Sequence, residues 1–354
     1  MKNKFHESIC AEGMSKEMSL QFILGLPGTG KTTLVLNEIR AKIAAAEPTP
    51  LYYLVPEQFS LQSERLLLAE GREAATRVQV LSFNRLAYRL FSVLGTPQGK
   101  HADDLGKQML LRKVLFETSH NLEYYKSASG LFANHGFIAE LSHTITELNH
   151  YGVSAEDLTE RAEHSTPALA AKLRDTALIL KKYRAAVTNR YLLTDDMPRL
   201  LCRKIEEVPA NAALPLLDDA YFWADGFSGF TPQERQVLLH IMKRAKKLSI
   251  TLTIKDEISA APRETISKLE ELARSARIKI LPAIHMKENF RHANAPELAY
   301  FVKSTQKKGD NFKPVSPPEK SPILTPRQSF ALQNFDTPLG KGVTPPSQAN
   351  NLIG

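Results

Sequence analysis

The residues best suited to chemistry in this chain form a glycine-rich loop near its amino terminus. The loop fits the pattern G-x-x-x-x-G-K-[S/T] and consists of Gly25, Leu26, Pro27, Gly28, Thr29, Gly30, Lys31 and Thr32. It follows an apolar run and opens a segment with helical spacing. There the glycines let backbone N–H groups face a phosphate chain, and the helix adds the positive end of its dipole. The loop predicts a site for a nucleoside triphosphate, and we expect ATP.

Two side chains of this loop can serve a phosphate and metal site. Lys31 can reach the β- and γ-phosphates as a point charge, and the Thr32 hydroxyl can ligate Mg²⁺. A second acidic ligand for Mg²⁺ is expected at the end of a neighbouring strand, and Asp225 follows the apolar run YFWA. Asp225 could instead be the turn residue of an Asp-Gly pair, so both interpretations stay open. Asp218 and Asp219 precede the run and are interpreted as cap or loop residues.

The sequence assigns no residue a catalytic role. Hydrolysis usually also needs a carboxylate that orients the attacking water. The position after Asp225 is Gly226, which has no side chain, and Glu234 lies further on, beyond a predicted turn. The sequence therefore supports nucleotide binding better than nucleotide turnover.

Strand and helix patterns alternate around these residues. Short apolar runs predict strands, and the segments between them carry apolar residues at helical spacing. One helix is expected from Thr32, and another is expected to end at Gly71. The predicted strands are 19–25, 51–56, 78–83, 220–227, 248–254 and 278–282. This alternation predicts an α/β fold with a parallel sheet covered by helices.

The strand pattern is interrupted in the middle of the chain. Residues 103–190 have helical periodicity only, which predicts an all-helical insertion into a sheet domain formed by 19–102 and 191–313. We interpret residues 1–18 as a disordered extension. Residues 314–354 are rich in proline and lack periodicity, so we interpret them as a disordered tail.

Apolar runs, cysteine and histidine content and net charge limit the classes of protein to which this chain can belong. The chain of 354 residues has no apolar run long enough for a membrane span and no secretory signal, so we expect a cytoplasmic protein without a membrane partner. Cys10 and Cys202 are far apart and the histidines are scattered, which argues against a disulfide framework or a zinc site. A formal net charge of +8 favours nucleic acid as a partner, although a basic surface without a specific target fits equally well.

The order of several motifs resembles the amino-terminal, helicase-like part of the AddB/RexB family, which forms the B subunit of the bacterial ATP-dependent helicase/deoxyribonuclease. The motifs are GLPGTGKT, YYLVPEQFS, VQVLSFNRLAYRLF, LLTDDMPRLL and AYFWADGFSGFTPQE. The phrase DGFSGFTPQE is the most specific, because superfamily 1 helicases carry an Asp-Glu pair there and this family does not. The resemblance runs from about Ser19 to about Lys313.

The resemblance implies a RecA-like P-loop NTPase domain with the helical insertion as its accessory subdomain, as in the 1A/1B arrangement of superfamily 1 helicases. It implies ATP and Mg²⁺ as cofactors, and single- or double-stranded DNA as a ligand. It also implies a heterodimer with the A subunit of the helicase/nuclease, which processes double-strand breaks for homologous recombination. Pro56-Glu57-Gln58 and Ser82-Phe83 match positions where related helicases contact single-stranded DNA. Packing at strand ends is the alternative role, and Phe83 is the residue expected to stack on a base.

The chain also departs from the family pattern. Members are several times longer and carry a second helicase-like lobe and a nuclease domain whose cysteines hold an iron–sulfur cluster. Neither Cys10 nor Cys202 matches those ligands, so we expect no cluster in this chain. Turnover by this chain alone is expected to be weak, because the second lobe would supply a charge-stabilising arginine.

Two further functions remain open. The proline-rich tail suggests a truncated or frameshifted gene product, which would leave a nucleotide-binding module without catalysis. A small-substrate P-loop kinase is the other alternative, although a kinase would keep a compact lid in place of the long helical insertion.

Overall fold

The structure, a computed structural model, contains nine strands and eleven α-helices in the part of the chain that it describes. The described residues are 18–46, 48–69, 71–126, 130, 134–188, 190–209, 212–254 and 260–291. They belong to the first of two units, Met1–Arg291, into which the chain divides. Apart from Met18, the predicted extension 1–18 lies outside the described residues, as does the predicted tail 314–354.

The bounds of the elements are as follows. The strands are β1 (Ser19–Gly25), β2 (Leu51–Leu54), β3 (Val78–Leu81), β4 (Lys100–Ala102), β5 (Tyr191–Leu193), β6 (Tyr221–Ala224), β7 (Lys247–Thr253), β8 (Lys279–Ile280) and β9 (Ile284–Met286). The helices are α1 (Lys31–Ala44), α2 (Ser60–Ala69), α3 (Arg72–Arg77), α4 (Phe83–Leu94), α5 (Asp104–Thr118), α6 (His135–His150), α7 (Ala155–Glu163), α8 (Pro167–Val187), α9 (Met197–Glu206), α10 (Pro232–Met242) and α11 (Ala260–Ser275). None of the described helices combines the length and the apolar character needed to cross a lipid bilayer.

The main sheet has seven strands, and all of its pairings are parallel. The strand order is β3-β2-β6-β7-β1-β8, and β9 also pairs with β1, further along that strand than β8. The longest pairing aligns Ser19 to Gly25 of β1 with Lys247 to Thr253 of β7. The predicted α/β class with a parallel sheet covered by helices is therefore confirmed.

Both faces of the sheet carry apolar side chains, and helices pack against both faces. In β1, Leu20, Phe22 and Leu24 belong to the cluster formed with α4, α9 and α10. Ile23 of the same strand belongs to a second cluster, formed with α1 and α2. Parallel strands buried on both faces have nearly continuous apolar sequences, which is why runs such as Tyr221–Ala224 were recognisable as strands.

The segment between β4 and β5 has a hydrophobic cluster of its own. This cluster contains Ile179 and Leu180 of α8, both fully buried, together with buried side chains of α5, α6 and α7. The strands β4 and β5 pair in parallel, from Lys100 with Tyr191 to Ala102 with Leu193. Main-chain hydrogen bonds thus join the points where the chain enters and leaves the helical segment, a pairing that the sequence pattern did not reveal.

Several boundaries differ from the sequence prediction. A short 3₁₀ turn at Glu57–Phe59 precedes α2, and Gly71, predicted as the end of a helix, is the residue before a further helix, α3. The strand β3 ends at Leu81 because the hydroxyl of Ser82 accepts the backbone N–H of Arg85 and caps α4. The edge strand β9 was missed because three residues are too few to show a period.

The helical segment provides a direct test of its own packing. Leu180→Ala should lower the free energy of unfolding by about 2–5 kcal/mol, because it leaves a cavity among side chains that exclude water. Leu169→Ala is the matched control, since Leu169 lies on the same helix but is 47% exposed, and its change should stay within about 0.5 kcal/mol. Urea denaturation followed by circular dichroism measures both. Equal effects of the two substitutions would contradict the described packing of α8.

Candidate functional site

The carboxyl ends of the parallel strands bring the predicted functional residues to one edge of the sheet. Along the strand order, this edge carries Ser82-Phe83 after β3, Glu57-Gln58 after β2, Asp225 after β6 and the glycine-rich loop after β1. Only β7 separates the strand of Asp225 from the strand of the loop. Open parallel sheets bind their ligands at this edge, so the topology gathers the candidates where a ligand site is expected.

The backbone of the glycine-rich loop is shaped by two residues with positive φ. Gly28 and Gly30 have φ of +82° and +83°, a region that residues with a Cβ rarely adopt. The side chain of Thr29 is fully buried, and its hydroxyl donates to the carbonyl of Leu26 at 2.9 Å. Helix α1 begins directly after Gly30 and has no acidic residue in its first turn. Its free N–H groups and positive dipole end therefore favour an anion.

Lys31 lies back over this loop. Its ammonium group donates to the carbonyls of Gly25 at 2.7 Å and of Leu26 at 2.8 Å. Since an ammonium group carries three donors, one remains for a phosphate oxygen. Burial lowers the pKa of Lys31, while the negative charge of Asp225 raises it and the positive charge of Arg291 lowers it further. Lys31 therefore has a carboxylate and a second cation within electrostatic range.

The Asp225 carboxylate is buried and held on both oxygens. Its Oδ2 accepts the hydroxyl of Tyr53 at 2.8 Å, and its Oδ1 accepts the hydroxyl of Thr251. Burial, followed by the charge of Asp225, holds the pKa of Tyr53 well above its usual value, so this phenol remains a donor. Each carboxylate oxygen keeps a further lone pair for a cation.

Mg²⁺ bound together with a nucleotide would need fewer protein ligands near Asp225 than a cation held by protein alone. Among the described residues, no group of three or more His, Cys, Asp or Glu side chains could hold a metal ion. Mg²⁺ commonly takes one or two protein ligands and completes its shell with phosphate oxygens and water. Thr32 is partly buried, and its hydroxyl makes no hydrogen bond within the described ranges, so it is available as the other protein ligand.

Neither position 226 nor Glu234 offers a carboxylate that is placed to orient an attacking water. Gly226 has φ of +81°, so a glutamate there would require strained backbone. The carboxylate of Glu234 accepts the backbone N–H of Thr231 at 2.8 Å, in the capping box that begins α10. Its position is explained by helix capping.

A segment after β9 lies against the loop, and sequence reasoning missed it. The backbone N–H groups of Phe290 and Arg291 donate to the carbonyl of Gly28 at 3.0 and 3.3 Å, and the Asn289 amide donates to the carbonyl of Pro27 at 3.2 Å. The closeness of this segment explains the glycine at position 28 beyond its φ. A Cβ there would come within 2.7 Å of the Cβ of Arg291.

The same segment places an aromatic ring beside the loop. The side chain of Phe290 is 60% exposed, and a Cβ added to Gly30 would lie 3.5 Å from its ring. The residues Asn289, Phe290 and Arg291 follow β9, whose pairing with β1 directs the chain toward the loop. No motif in the sequence signalled this contact, because it depends on the pairing of β1 with β9, two segments far apart in the chain.

A groove of about 580 Å³ opens at the same edge of the sheet. The four residues predicted to contact DNA, Glu57, Gln58, Ser82 and Phe83, all line it. Other parts of its wall come from His150 at the end of α6 and from residues 226–229 after β6. The structure thus brings the four candidates together in one groove.

The aromatic side chains of the groove differ in accessibility. Phe83 is only 6% exposed, and its ring packs edge-on against Phe227 and Phe230 at centroid distances of 5.5 and 6.2 Å. Phe59 is 40% exposed and lies next to Gly226, where an added Cβ would be 3.6 Å from its ring. Of these two rings, that of Phe59 is the one accessible for stacking, and no sequence pattern pointed to it.

The carboxylates of the groove are compensated by their neighbours. Glu57 accepts the Ser82 hydroxyl and lies 3.6 Å from the guanidinium group of Arg85. Asp195 forms an ion pair with the largely buried Lys107. With Glu234 engaged in helix capping, the remaining lining groups include amides, hydroxyls and aromatic rings.

The cysteine that the structure describes is not placed for chemistry. Cys202 is buried on α9 within the hydrophobic cluster. Burial, and secondarily the charge of Glu206, raises the pKa of its thiol to about 12. Cys202 is therefore a neutral core residue at physiological pH, and Cys10 lies outside the described residues.

Comparison with known proteins connects this geometry to a family. The family model described as "ADDB, N-terminal" matches residues 22–301. The chain is 36% identical over 278 residues to the B subunit of the ATP-dependent helicase/deoxyribonuclease of Desulforudis audaxviator, covering 74% of this chain and 23% of that protein. The protein of the same name from Acetivibrio thermocellus is 33% identical over 297 residues, covering 80% and 25%. That of a Thermoanaerobacter species is 37% identical over 239 residues, covering 67% and 20%.

The chain therefore belongs to the AddB family and matches its amino-terminal part, as the motifs predicted. It spans a quarter or less of the length of these three relatives. Their name states helicase and deoxyribonuclease activities for proteins that are considerably longer than this chain.

The close approach of residues 289–291 to the loop can be tested at Gly28. Gly28→Ala should lower the unfolding temperature more than the matched control Gly152→Ala. Both positions have positive φ, which costs about 1–2 kcal/mol for alanine, but a Cβ at Gly152 meets no atom within 4 Å. Differential scanning fluorimetry measures the difference. Equal losses for the two variants would show that residues 289–291 do not lie against the loop.

Proposed function

We propose that this chain is a RecA-like P-loop domain that binds ATP together with Mg²⁺. The observation that carries the proposal is the convergence, at one sheet edge, of the glycine-rich loop, the Lys31 ammonium and the buried Asp225 carboxylate. A basic loop at a helix amino terminus favours phosphate, and a carboxylate separated from it by one intervening strand favours the accompanying cation. The membership of the AddB family supports the same interpretation.

In this proposal each residue has a definite task. The N–H groups of the loop and of the first turn of α1 bind phosphate oxygens, and Lys31 uses its third donor on the β- and γ-phosphates. Thr32 and Asp225 hold Mg²⁺, which when bound neutralises part of the phosphate charge. Arg291 contributes a second positive charge, and the exposed ring of Phe290 provides an apolar surface beside the loop.

Binding without rapid turnover is the form of the proposal that the local geometry favours. Gly226 offers no carboxylate, and Glu234 is occupied in a capping box. Arg291 places one cation within electrostatic range of Lys31, in addition to the charge-stabilising arginine expected from a second lobe. The missing group is therefore the one that would orient water, and we expect slow hydrolysis by this chain alone.

The nucleotide site is tested by Lys31→Ala. This variant should bind a fluorescent ATP analogue about 10- to 100-fold more weakly in the presence of Mg²⁺, because a hydrogen bond to a charged group contributes about 1.5–3 kcal/mol. Lys113→Ala, at a side chain that is 69% exposed, serves as the control and should bind like the wild type. Unchanged affinity of the Lys31 variant, measured by fluorescence anisotropy, would refute the proposed site.

We further propose that the groove binds single-stranded DNA through its bases. The support comes from the lining groups, since Phe59 exposes a ring, Gln58 carries an amide, and Glu57 is compensated by Arg85 and Ser82. Rings and amides suit unstacked bases, whereas phosphates require cations. The formal net charge of +8 would then act elsewhere on the surface and make overall affinity depend on salt.

Phe59→Ala tests this use of the groove. It should weaken binding of a fluorescent oligonucleotide about 5- to 100-fold, because stacking on an aromatic ring contributes about 1–3 kcal/mol per base. Phe116→Ala, at a ring that is 78% exposed on α5, is the control and should have no effect. Equal losses in both variants would indicate nonspecific binding and not a base-binding groove.

The cellular role follows as a proposal from the family. We infer a bacterial cytoplasmic protein that acts in double-strand break repair by homologous recombination, as the B subunit of a helicase/nuclease that pairs with an A subunit. The relatives' name, which specifies the B subunit of an enzyme, supports the existence of this partner. Coexpression with the candidate partner from the same genome, followed by copurification, tests it. Failure of the two chains to copurify would contradict it.

A further inference from the structure

The proposed metal ligand Asp225 is oriented by hydroxyl groups from both neighbouring strands. Tyr53 belongs to β2 and Thr251 to β7, and these strands flank β6 on either side. Tyr53 donates to Oδ2 at 2.8 Å, and Thr251 donates to Oδ1. The carboxylate therefore cannot rotate without losing a hydrogen bond in a site from which water is largely excluded.

Tyr53 is placed to orient the Asp225 carboxylate more than to contact a ligand directly. Its side chain is 1% exposed, and Asp225 is 5% exposed, so the hydrogen bond between them is shielded from solvent. The neighbouring Tyr52 is buried to a similar degree, at 2% exposure, but stacks on Phe222 at a centroid distance of 4.8 Å. Consecutive residues of a strand point to opposite faces, so only Tyr53 reaches Asp225.

Tyr53 also connects Asp225 to the wall of the groove. Ser63, a buried residue of α2, lies close enough to the phenol of Tyr53 to lower its pKa against the effect of burial. Helix α2 directly follows the turn Glu57–Phe59, which lines the groove. Phe59 in that turn lies near Gly226, the residue after Asp225, since a Cβ added to Gly226 would be 3.6 Å from its ring. Ser63 and Tyr53 thus connect α2 with Asp225, alongside the approach of Phe59 to Gly226.

We propose that Tyr53 is a positioning residue that fixes Asp225 for Mg²⁺ and, through Ser63 and α2, couples the nucleotide site to the groove. The inference rests on the proposed function of both sites. It differs from that function because it assigns a buried residue that touches neither ligand. Groups that orient a metal ligand commonly alter metal affinity about 10- to 100-fold when they are removed.

Tyr53→Phe tests the positioning role, because it removes only the hydroxyl. We expect the Mg²⁺ concentration needed for half-maximal binding of a fluorescent ATP analogue to rise about 10-fold, while affinity without Mg²⁺ stays unchanged. Tyr52→Phe is the matched control and should leave both quantities unchanged. Thr251→Val removes the opposite donor and should resemble Tyr53→Phe, which keeps the test valid should one variant fold poorly.

The outcomes separate the inference from the proposed function. If wild-type chain binds the analogue with Mg²⁺ and Lys31→Ala does not, the nucleotide site stands. An unchanged Mg²⁺ requirement in Tyr53→Phe then overturns the positioning role alone. A purely structural role would lower the unfolding temperature and weaken binding equally with and without Mg²⁺, which would also overturn it.

The coupling is tested by the affinity for an oligonucleotide with and without the Mg²⁺-bound ATP analogue. We expect the ratio of the two dissociation constants to differ from one in the wild type by about 5-fold or more, the usual size of coupling between two sites. Ser63→Ala and Tyr53→Phe should bring the ratio toward one, whereas Tyr52→Phe should keep it. A wild-type ratio of one, or a ratio unaffected by Ser63→Ala, would overturn the coupling.

Discussion

The burial of the Asp225 carboxylate is the constraint on which the carboxyl edge of this sheet depends. A buried charge is costly unless hydrogen bonds or an opposite charge compensate for it. Here β6 lies between β2 and β7, so a hydroxyl from each neighbouring strand reaches one carboxylate oxygen, and Lys31 lies within electrostatic range. The strand order thus does more than bury apolar residues, because another order would leave this charge without its donors.

The second constraint is the close approach of backbone segments around the glycine-rich loop. Gly28 accepts two N–H groups from the segment after β9, and that segment is brought there by the pairing of β9 with β1. The loop therefore continues into α1 at its carboxyl end and is held at Pro27 and Gly28 by residues 289–291. Preorganisation of this kind reduces the conformational freedom that a phosphate ligand would otherwise have to restrict.

Local patterns explain how much of this arrangement could be predicted. The loop, Lys31, Thr32 and Asp225 stood out because apolar strands precede them and because the P-loop pattern has a fixed spacing. The parallel sheet followed from the same alternation. Phe59 and residues 289–291 were missed because their roles arise from contacts between distant segments, as does the burial of Phe83 behind Phe227 and Phe230. A single sequence without pairing information gives no signal for such contacts.

Gly226, the residue after Asp225, affects both the shape of the groove and the chemistry open to the proposed nucleotide site. Its φ of +81° lets the chain turn away from β6 while Pro56 and Phe59 approach the backbone, at 3.5 and 3.6 Å from a built Cβ. A glutamate at this position would have to adopt the same unfavourable φ, so a water-orienting carboxylate and this close contact with the groove compete for one position. Under the proposed function, this geometry would suit a domain that uses nucleotide binding to influence the groove better than one that relies on rapid hydrolysis.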